Sequence, residues 1–211
     1  MHRLLEQPLT NGAFPRGAET RYSAAMRIIG GKFKGRALAA PGAVGGGAAH
    51  LRPTSDRVRE SLFNLLAHGD YRGAPEGMRV IDLFAGVGAL GLEAMSRGAT
   101  RCVFVDDNGP SRALIRENVE KLGLMGATKI WRRDATRLGP NRDAPFDLIF
   151  LDPPYRKDLA AKALASASDG GWIAKDAVIV VEQATEEDPP EFGEIADDRT
   201  YGDTRVLILR P

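Results

Sequence analysis

The chain has 211 residues, of which 43% are hydrophobic and 27% are charged, and its formal net charge is +1. This length and apolar content predict one substantial core, in one main α/β domain with a small appendage. A membrane span is excluded because no run approaches the roughly 18 apolar residues that a bilayer requires. Residues 1–8 lack the apolar segment of a signal peptide, which predicts a cytoplasmic protein.

Cysteine and histidine usage argues against a disulfide framework or a metal site. Cys102 is the only cysteine, which excludes an intramolecular disulfide and a cysteine-rich zinc site. The three histidines, His2, His50 and His68, have no recognisable metal-ligand spacing. We therefore expect no metal, and a buried structural thiol at Cys102.

The first part of the chain predicts a disordered extension followed by a β-hairpin. Residues 1–25 show no clear periodicity and contain Asn11-Gly12, which is typical of a disordered extension. Residues 26–38 predict a hairpin with its turn at Gly30-Gly31, because glycine permits the positive φ of a tight turn. A flexible glycine-rich loop is expected at 41–49.

A helix is predicted next, with a capping residue among Thr54, Ser55 and Asp56. Its expected apolar stripe consists of Val58, Leu62, Leu65 and Leu66. We interpret residues 26–66 as one small basic unit and residues 67–211 as the main domain.

The N-terminal segment is much more basic than the remainder. Residues 1–60 hold ten basic and four acidic side chains, so they carry +6 and the remainder carries −5. This asymmetry predicts contact with a polyanion, although a solvated basic face fits the charge count equally well. The predicted RNA contacts are Lys32, Lys34, Arg36, Arg52, Arg57 and Arg59.

A glycine-rich turn follows the first strand of the main domain, predicted at 79–84. Gly86, Gly88 and Gly91 fit G-x-G-x-x-G, a turn that brings backbone close to a ligand at a helix N-terminus. Asp106 ends the next strand, 20 residues beyond Gly86, the spacing of a carboxylate that accepts hydrogen bonds from ribose hydroxyls. Dinucleotide dehydrogenases and S-adenosylmethionine enzymes both fit this pattern.

Two further acids favour S-adenosylmethionine. Asp82 precedes the glycines, where a carboxylate would repel a pyrophosphate but suits a cationic amino acid moiety. Asp134 follows a strand predicted at 127–131 and is placed to meet an adenine amino group. A bulky residue at Gly88 is expected to abolish cofactor binding without unfolding the protein.

The rest of the chain alternates helix and strand, which predicts a doubly wound, mostly parallel sheet. Helices are expected at 110–123 and 158–167, and strands at 146–151 and 176–182. Residues 193–201 and 204–210 predict a closing antiparallel pair, which separates a methyltransferase sheet from a six-parallel Rossmann sheet.

The tetrapeptide Asp152-Pro153-Pro154-Tyr155 directly follows the strand at 146–151. The prolines forbid continuation of that strand, so a carboxylate is left at its carboxyl end, where α/β sheets bind ligands. Asp152 and the Pro153 carbonyl offer two acceptors for an exocyclic amino group, and Tyr155 offers a ring for stacking on a planar base. Helix capping by Asp152 and ordinary packing of Tyr155 are the structural alternative.

These motifs together resemble the RsmD family of bacterial small-subunit ribosomal RNA methyltransferases, over about residues 26–210. The resemblance is carried by 26–31, by 52–60, by 82–94 without Val87, and by the tetrapeptide at 152–155. It implies a Rossmann-like methyltransferase fold with a small N-terminal hairpin and helix extension. It also implies methylation of the exocyclic N2 of a 16S RNA guanine, usually numbered 966, on the small ribosomal subunit.

The expected cofactor is S-adenosylmethionine, with S-adenosylhomocysteine as product, and the expected partner is 16S rRNA, with the protein a monomer. The expected cofactor-binding residues are Asp82, Phe84, Gly86, Gly88, Asp106, Asp107, Asp134 and Ala135. The expected catalytic residues are Asp152, Pro153, Pro154 and Tyr155. Asp106 stands where relatives often have Glu, so the ribose contact could be shared with Asp107 or Asn108.

Three alternatives remain open at this point. An adenine-N6 methyltransferase uses the same tetrapeptide, although this chain has little room for a separate target-recognition domain. A NAD-dependent oxidoreductase would explain the glycines but not residues 152–155. A non-catalytic RNA-binding module on a methyltransferase fold is the third reading, against which the intact tetrapeptide argues.

Overall fold

The structure is a computed structural model, which describes residues 26–40, 55–154 and 158–211. The strands are β1 Arg79–Leu83, β2 Arg101–Val105, β3 Thr128–Trp131, β4 Phe146–Leu151, β5 Ile173–Ala184, β6 Glu194–Tyr201 and β7 Thr204–Arg210. The α-helices are α1 Asp56–His68, α2 Ala89–Ser96, α3 Gly109–Lys121 and α4 Leu159–Asp169. Short 3-10 turns lie at Gly31–Phe33 and Ala135–Arg137.

All seven strands form one sheet in the order β3-β2-β1-β4-β5-β7-β6. The strands β1 to β5 pair in parallel, and β7 runs antiparallel to both β5 and β6. The mostly parallel sheet and its antiparallel edge pair are therefore confirmed. The strand order reverses between β1 and β4, which is where open α/β sheets form their ligand crevice.

Both faces of the central strands are covered, which explains why these strands are nearly continuous apolar runs. One face packs against α1, α2 and α3 in a first hydrophobic cluster that includes Val80, Phe104 and Phe150. The other face packs against α4 and the turn at Ala135–Arg137, around Val105 and Trp172. No helix of the described residues has the length and apolar content to cross a bilayer.

The predicted hairpin forms in a different way from that expected. Its two arms share a single β-bridge, Arg27 with Ala37, and the Leu38 amide donates to the Met26 carbonyl at 2.7 Å. The chain reverses through the 3-10 turn at Gly31–Phe33, so a two-residue turn at Gly30-Gly31 is wrong.

The glycines of this segment allow close approach to α2. The Glu93 carboxylate accepts from the Ile29 and Gly30 amides at 2.7 and 2.8 Å. A Cβ on Gly31, whose φ is +73°, would lie 1.9 Å from the Ser96 carbonyl oxygen. The segment therefore docks on α2 by contacts that side chains at these positions would block.

The described part of residues 26–66 packs into the main core. Its buried apolar side chains belong to the same cluster as those of β1, β2 and β4. They are Met26, Ile28, Leu38, Leu62, Phe63 and Leu66. The helix cap is Ser55, whose side chain accepts from the Val58 amide. The buried face of α1 runs through Leu62, Phe63 and Leu66, whereas Val58 and Leu65 are only partly buried.

The outer strands of the sheet are its most exposed parts. In β6 most side chains are exposed, and the pairing with β7 has an irregularity between Ile195 and Asp197. At the other edge, β3 has only four residues and exposes Lys129.

Candidate active site at the carboxyl edge of the sheet

Three carboxylates lie at the carboxyl ends of neighbouring parallel strands. Asp82 is the penultimate residue of β1, Asp106 directly follows β2, and Asp152 directly follows β4. Because β1 lies between β2 and β4, all three acids meet at one edge of the sheet, as the sequence predicts.

The turn between β1 and α2 holds backbone amides against this edge. Phe84, Gly86 and Gly88 all have positive φ, of 64°, 56° and 82°. The Gly86 amide donates to Asp106 Oδ2 at 2.8 Å, which ties the turn to the end of β2. The turn is thus fixed by a carboxylate at the position predicted for the ribose contact. Phe84 is only partly buried and packs against the second cluster.

Close packing of α2 on the sheet accounts for Gly91. A Cβ at this position would lie 2.4 Å from the Phe104 ring and 2.7 Å from the sulfur of Cys102. The Gly91 amide donates to Asp82 Oδ2 at 2.9 Å. Cys102 is fully buried here, and burial raises the pKa of its thiol. Its predicted structural role agrees with this position.

A substitution at Gly88 cannot test cofactor binding without also affecting stability, contrary to the prediction from the sequence. A Cβ there would lie 3.2 Å from the Phe104 ring and 3.4 Å from Ile115. A bulky side chain at Gly88 would therefore enter the core and also strain the backbone, because φ is +82°. Loss of cofactor binding in such a variant would be accompanied by loss of stability.

Buried carboxyl groups dominate the electrostatics of this edge. Burial, with a smaller contribution from the Asp106 charge, raises the pKa of Asp82 to about 7, although the Gly91 N–H bond opposes this shift. Burial also raises the pKa of Asp106, against hydrogen bonds from the Asn108 and Gly86 amides. Asp82 has no ion pair with any described residue, so a cationic ligand group would relieve an unfavourable arrangement.

Asp152 lies in a second acidic environment at the end of β4. Its side chain is partly buried, Pro153 is buried and Pro154 is exposed. Burial, followed by the negative charges of Glu182 and Asp82, raises the pKa of Asp152 well above the ordinary value. Tyr155 and its predicted stacking role lie outside the described residues.

Glu182 is a further acid at this edge that the sequence-based expectations did not include. Leu151 pairs with Val181 across β4 and β5, so the next residues, Asp152 and Glu182, are neighbours at the sheet edge. Glu182 is 5% exposed. The signal was available in the sequence, since Glu182 directly follows the apolar run at 177–181, as Asp152 follows the apolar end of β4.

Asp134 and Ala135 lie shortly after β3, separated from it by Arg132 and Arg133. Asp134 is exposed and its Oδ1 accepts from the amide and hydroxyl of Thr136, at 2.8 and 2.7 Å. These hydrogen bonds lower the pKa of Asp134 and cap the turn at Ala135–Arg137. The other carboxylate oxygen makes no hydrogen bond to a described residue, so it is open to a ligand. Ala135 is buried, and Asp107 is exposed beside Asp106.

Of the predicted RNA-binding side chains that the structure describes, all but Arg59 are exposed to solvent. Lys32, Lys34, Arg36 and Arg57 are exposed, and Arg52 lies outside the described residues.

Arg59 was wrongly placed at the surface, because its side chain is 1% exposed. Its Nη2 donates to Asp56 Oδ1 at 2.7 Å and to the Arg27 carbonyl at 2.8 Å, whereas Nε and Nη1 have no hydrogen-bond partner among the described residues. Burial lowers the pKa of Arg59, and the charges of Asp56, Glu93 and Glu182 oppose that shift. Arg59 therefore joins α1 to the N-terminal segment and is not a free phosphate contact.

No group of His, Cys, Asp and Glu side chains within the described ranges is arranged to hold a metal ion.

Comparison with known proteins assigns the chain to a family. The model of the family described as conserved hypothetical protein 95 matches residues 26–210. The chain belongs to this family, the RsmD family. It is 38% identical to the ribosomal RNA small subunit methyltransferase D of Escherichia coli K12 over 169 residues, which cover 80% of this chain and 79% of that protein.

A second relative and a solved structure match a larger part of the chain. The YlbH protein of Bacillus subtilis 168 is 38% identical over 191 residues, 88% of this chain and 98% of YlbH. The solved structure of the yhhF protein of Escherichia coli has a TM-score of 0.71 and 32% identity, over 87% of this chain and 96% of that chain. The resemblance to the RsmD family seen in the motifs is thus confirmed, and it includes the N-terminal segment from residue 26.

Proposed function

We propose that this protein transfers a methyl group from S-adenosylmethionine to the exocyclic N2 of a guanine in 16S ribosomal RNA. The observation that carries the proposal is the position of Asp152-Pro153-Pro154 at the end of β4, beside Asp82 and the glycine turn. The name of the Escherichia coli relative, ribosomal RNA small subunit methyltransferase D, supports the RNA substrate.

The residues at the sheet edge fit S-adenosylmethionine. When bound, this donor supplies an electrophilic methyl group on a positively charged sulfur. Asp82 would hold the ammonium group of its amino acid moiety, Asp106 would accept from the ribose hydroxyls, and Asp134 would accept from the adenine amino group. The buried carboxylate of Asp82, with its raised pKa, gives this set a preference for a cationic ligand.

The target base would lie against Asp152. The N2 lone pair of guanine is delocalised into the ring and is a weak nucleophile. Asp152 and the Pro153 carbonyl would accept its two N–H hydrogens, orient the lone pair and stabilise the positive charge that develops on N2. Tyr155, proposed to stack on the extruded base, would contribute about 1–3 kcal/mol of binding.

The proposed methyl transfer requires no covalent intermediate with the enzyme. The donor would transfer its methyl carbon to N2 while the bonding electron pair stays on sulfur, and N2 would then lose one proton. Asp152 would accept this proton. Glu182 adds a second negative charge beside it, which favours the cationic transition state further.

The test is methyl transfer from labelled S-adenosylmethionine to small ribosomal subunits isolated from a strain that lacks the enzyme, followed by nucleoside analysis. We expect N2-methylguanosine. Methylated adenosine would support the adenine-N6 alternative, and no transfer would contradict an enzymatic role.

Asp152→Ala provides the first mutational prediction. Its single-turnover rate should fall at least about a hundredfold, because loss of one oriented acceptor typically costs that much. S-adenosylmethionine should still bind, as measured by titration calorimetry. Asp169→Ala, at an exposed carboxylate in the last turn of α4, serves as the matched control and should react normally. Near-normal turnover in Asp152→Ala would refute the assigned role.

A further inference from the structure

A groove of about 770 Å³ lies outside the candidate active site, at the β3 edge of the sheet. It is lined by Lys129, Trp131, Arg133, Asp134, Arg137 and Trp172, with Arg142 and the loop around it. Gly86, Gly88, Asp106 and Asp152 do not line it, and only Asp134 is common to the groove and the proposed cofactor site. Its tryptophans pack with the second cluster, on the sheet face opposite α1 and α2.

The groove is locally basic within the acidic part of the chain. Residues 129–142 contain five basic side chains and one acid, a net charge of +4. Lys129, Arg137 and Arg142 are exposed and form no hydrogen bond or ion pair with a described residue. The lining acid Asp143 faces Arg79, with 3.5 Å between Oδ1 and Nη2. The charges of Asp143 and Asp134 attract Lys129 and Arg137, but neither acid pairs directly with these cations among the described residues, so the groove keeps a net positive charge that faces solvent.

An aromatic floor holds one arginine of the groove in place. Trp131 and Trp172 meet edge to face with ring centroids 5.3 Å apart, and Trp172 Nε1 donates to the Gly139 carbonyl at 2.7 Å. The Arg133 guanidinium lies 4.9 Å from the Trp131 ring centroid, and its Nη1 donates to the Leu138 carbonyl at 2.6 Å. A stacked, anchored guanidinium with further donors is well suited to phosphate oxygens.

We infer that this groove binds the sugar-phosphate backbone of the ribosomal RNA substrate, as a second contact distinct from the N-terminal basic side chains. The inference rests on the proposed function, because the substrate must be RNA. A polyanion fits several unpaired cations spread along a concave surface of this size, and the arginines match phosphate geometry. The exposed Lys32, Lys34 and Arg36 belong to the segment docked on α2, so RNA would contact both faces of the sheet.

The test compares the double variant Lys129→Gln/Arg142→Gln with the control Arg116→Gln/Lys175→Gln, which removes two exposed cations elsewhere. Each phosphate contact to single-stranded RNA contributes about 0.7 to the salt slope, so the groove variant should lose about 1.4. Near 0.15 M salt this corresponds to about tenfold weaker binding to small subunits. The control should bind as wild type does, and S-adenosylmethionine affinity should be unchanged in both variants.

The outcomes separate this inference from the proposed function. If wild-type enzyme methylates subunits and the groove variant binds them as the control does, the groove inference is wrong and the proposed function stands. If wild-type enzyme neither binds nor methylates subunits, the proposed function fails. A groove variant with weakened S-adenosylmethionine binding would assign the groove to the cofactor, which would also overturn the inference.

A photo-crosslink identifies what occupies the groove. Because Cys102 is buried, Arg142→Cys would present the reactive thiol for attachment of a crosslinker. Crosslinking to 16S RNA in the complex with subunits is expected. Crosslinking to ribosomal protein alone, or no crosslink, would overturn the inference.

Discussion

The carboxylate of Asp82 lies at the centre of the candidate site and opposes folding of the protein around it. Its side chain is 2% exposed, and the Gly91 amide is its one hydrogen-bond donor among the described residues. The pKa of Asp82 is about 7 in the folded protein, above the ordinary 3.8. Folding therefore takes up a proton between these pH values. The stability associated with the protonated carboxyl is present below pH 4 and is lost as pH rises to about 7.

Asp82→Asn should relieve this cost, since the neutral amide oxygen can still accept from Gly91. One pKa unit corresponds to about 1.4 kcal/mol, so the stability gain over wild type should grow by about 2 kcal/mol between about pH 5.5 and pH 8. Urea denaturation at both pH values measures this. S-adenosylmethionine binding should weaken in the same variant. A pH-independent gain at Asp82 would contradict this expectation.

Strand-end acids were predictable from the sequence, and buried arginines were not. Asp82 lies near the carboxyl end of a recognisable apolar strand, Asp106 and Asp152 directly follow such strands, and parallel strands bring these ends together. Arg59 lies two residues after Arg57 on the same helix, yet one is buried and the other exposed. This difference depends on which face of α1 packs against the rest of the protein, and tertiary packing determines that face.

At the scale of elements, the contact between the N-terminal segment and α2 leaves no room for an added Cβ at Gly31. Gly31 and Gly35 both have positive φ, of 73° and 82°, but only Gly31 faces protein, since a Cβ on Gly35 would meet nothing within 4 Å. Substitutions at the two positions therefore distinguish the cost of backbone strain from the cost of close packing.

Gly31→Ala should be destabilised by at least about 2 kcal/mol more than Gly35→Ala. The Gly35 variant carries the left-handed backbone cost of about 1–2 kcal/mol, and the Gly31 variant must also displace the Ser96 backbone. Urea denaturation of the two variants measures the difference. Equal destabilisation would mean that the segment does not depend on this contact.

The wrong turn at Gly30-Gly31 shows where element prediction reaches its limit. Strands and helices such as β4 and α3 follow from apolar runs and from a cap, Asn108, that are local in sequence. The role of the glycines depends on Glu93 and Ser96, more than 60 residues later in the chain. A glycine pair that fits a tight turn fits a close approach equally well, and only the fold distinguishes them.

At the scale of the whole molecule, the N-terminal segment and the sheet share one core and should unfold together. Ile28 is fully buried in the first cluster, whereas both tryptophans lie on the opposite face of the sheet. Tryptophan fluorescence therefore reports on a region that Ile28 does not contact directly.

Ile28→Ala should lower the free energy of unfolding by about 2–5 kcal/mol, the usual cost of this change in a core. If the molecule is one cooperative unit, tryptophan fluorescence and far-UV circular dichroism should show the same shifted urea midpoint. A shifted circular dichroism transition with an unchanged fluorescence transition would instead indicate a separately folding N-terminal unit.

The exposed outer strands carry a consequence for self-association. An open sheet has two edges whose free backbone groups can template pairing with another chain. Here β6 displays Glu194, Asp198 and Arg199 and is interrupted next to Ile195, while β3 is four residues long and displays Lys129. Charge, irregularity and shortness all oppose edge-to-edge stacking, so this sheet has built-in protection against aggregation through strand addition.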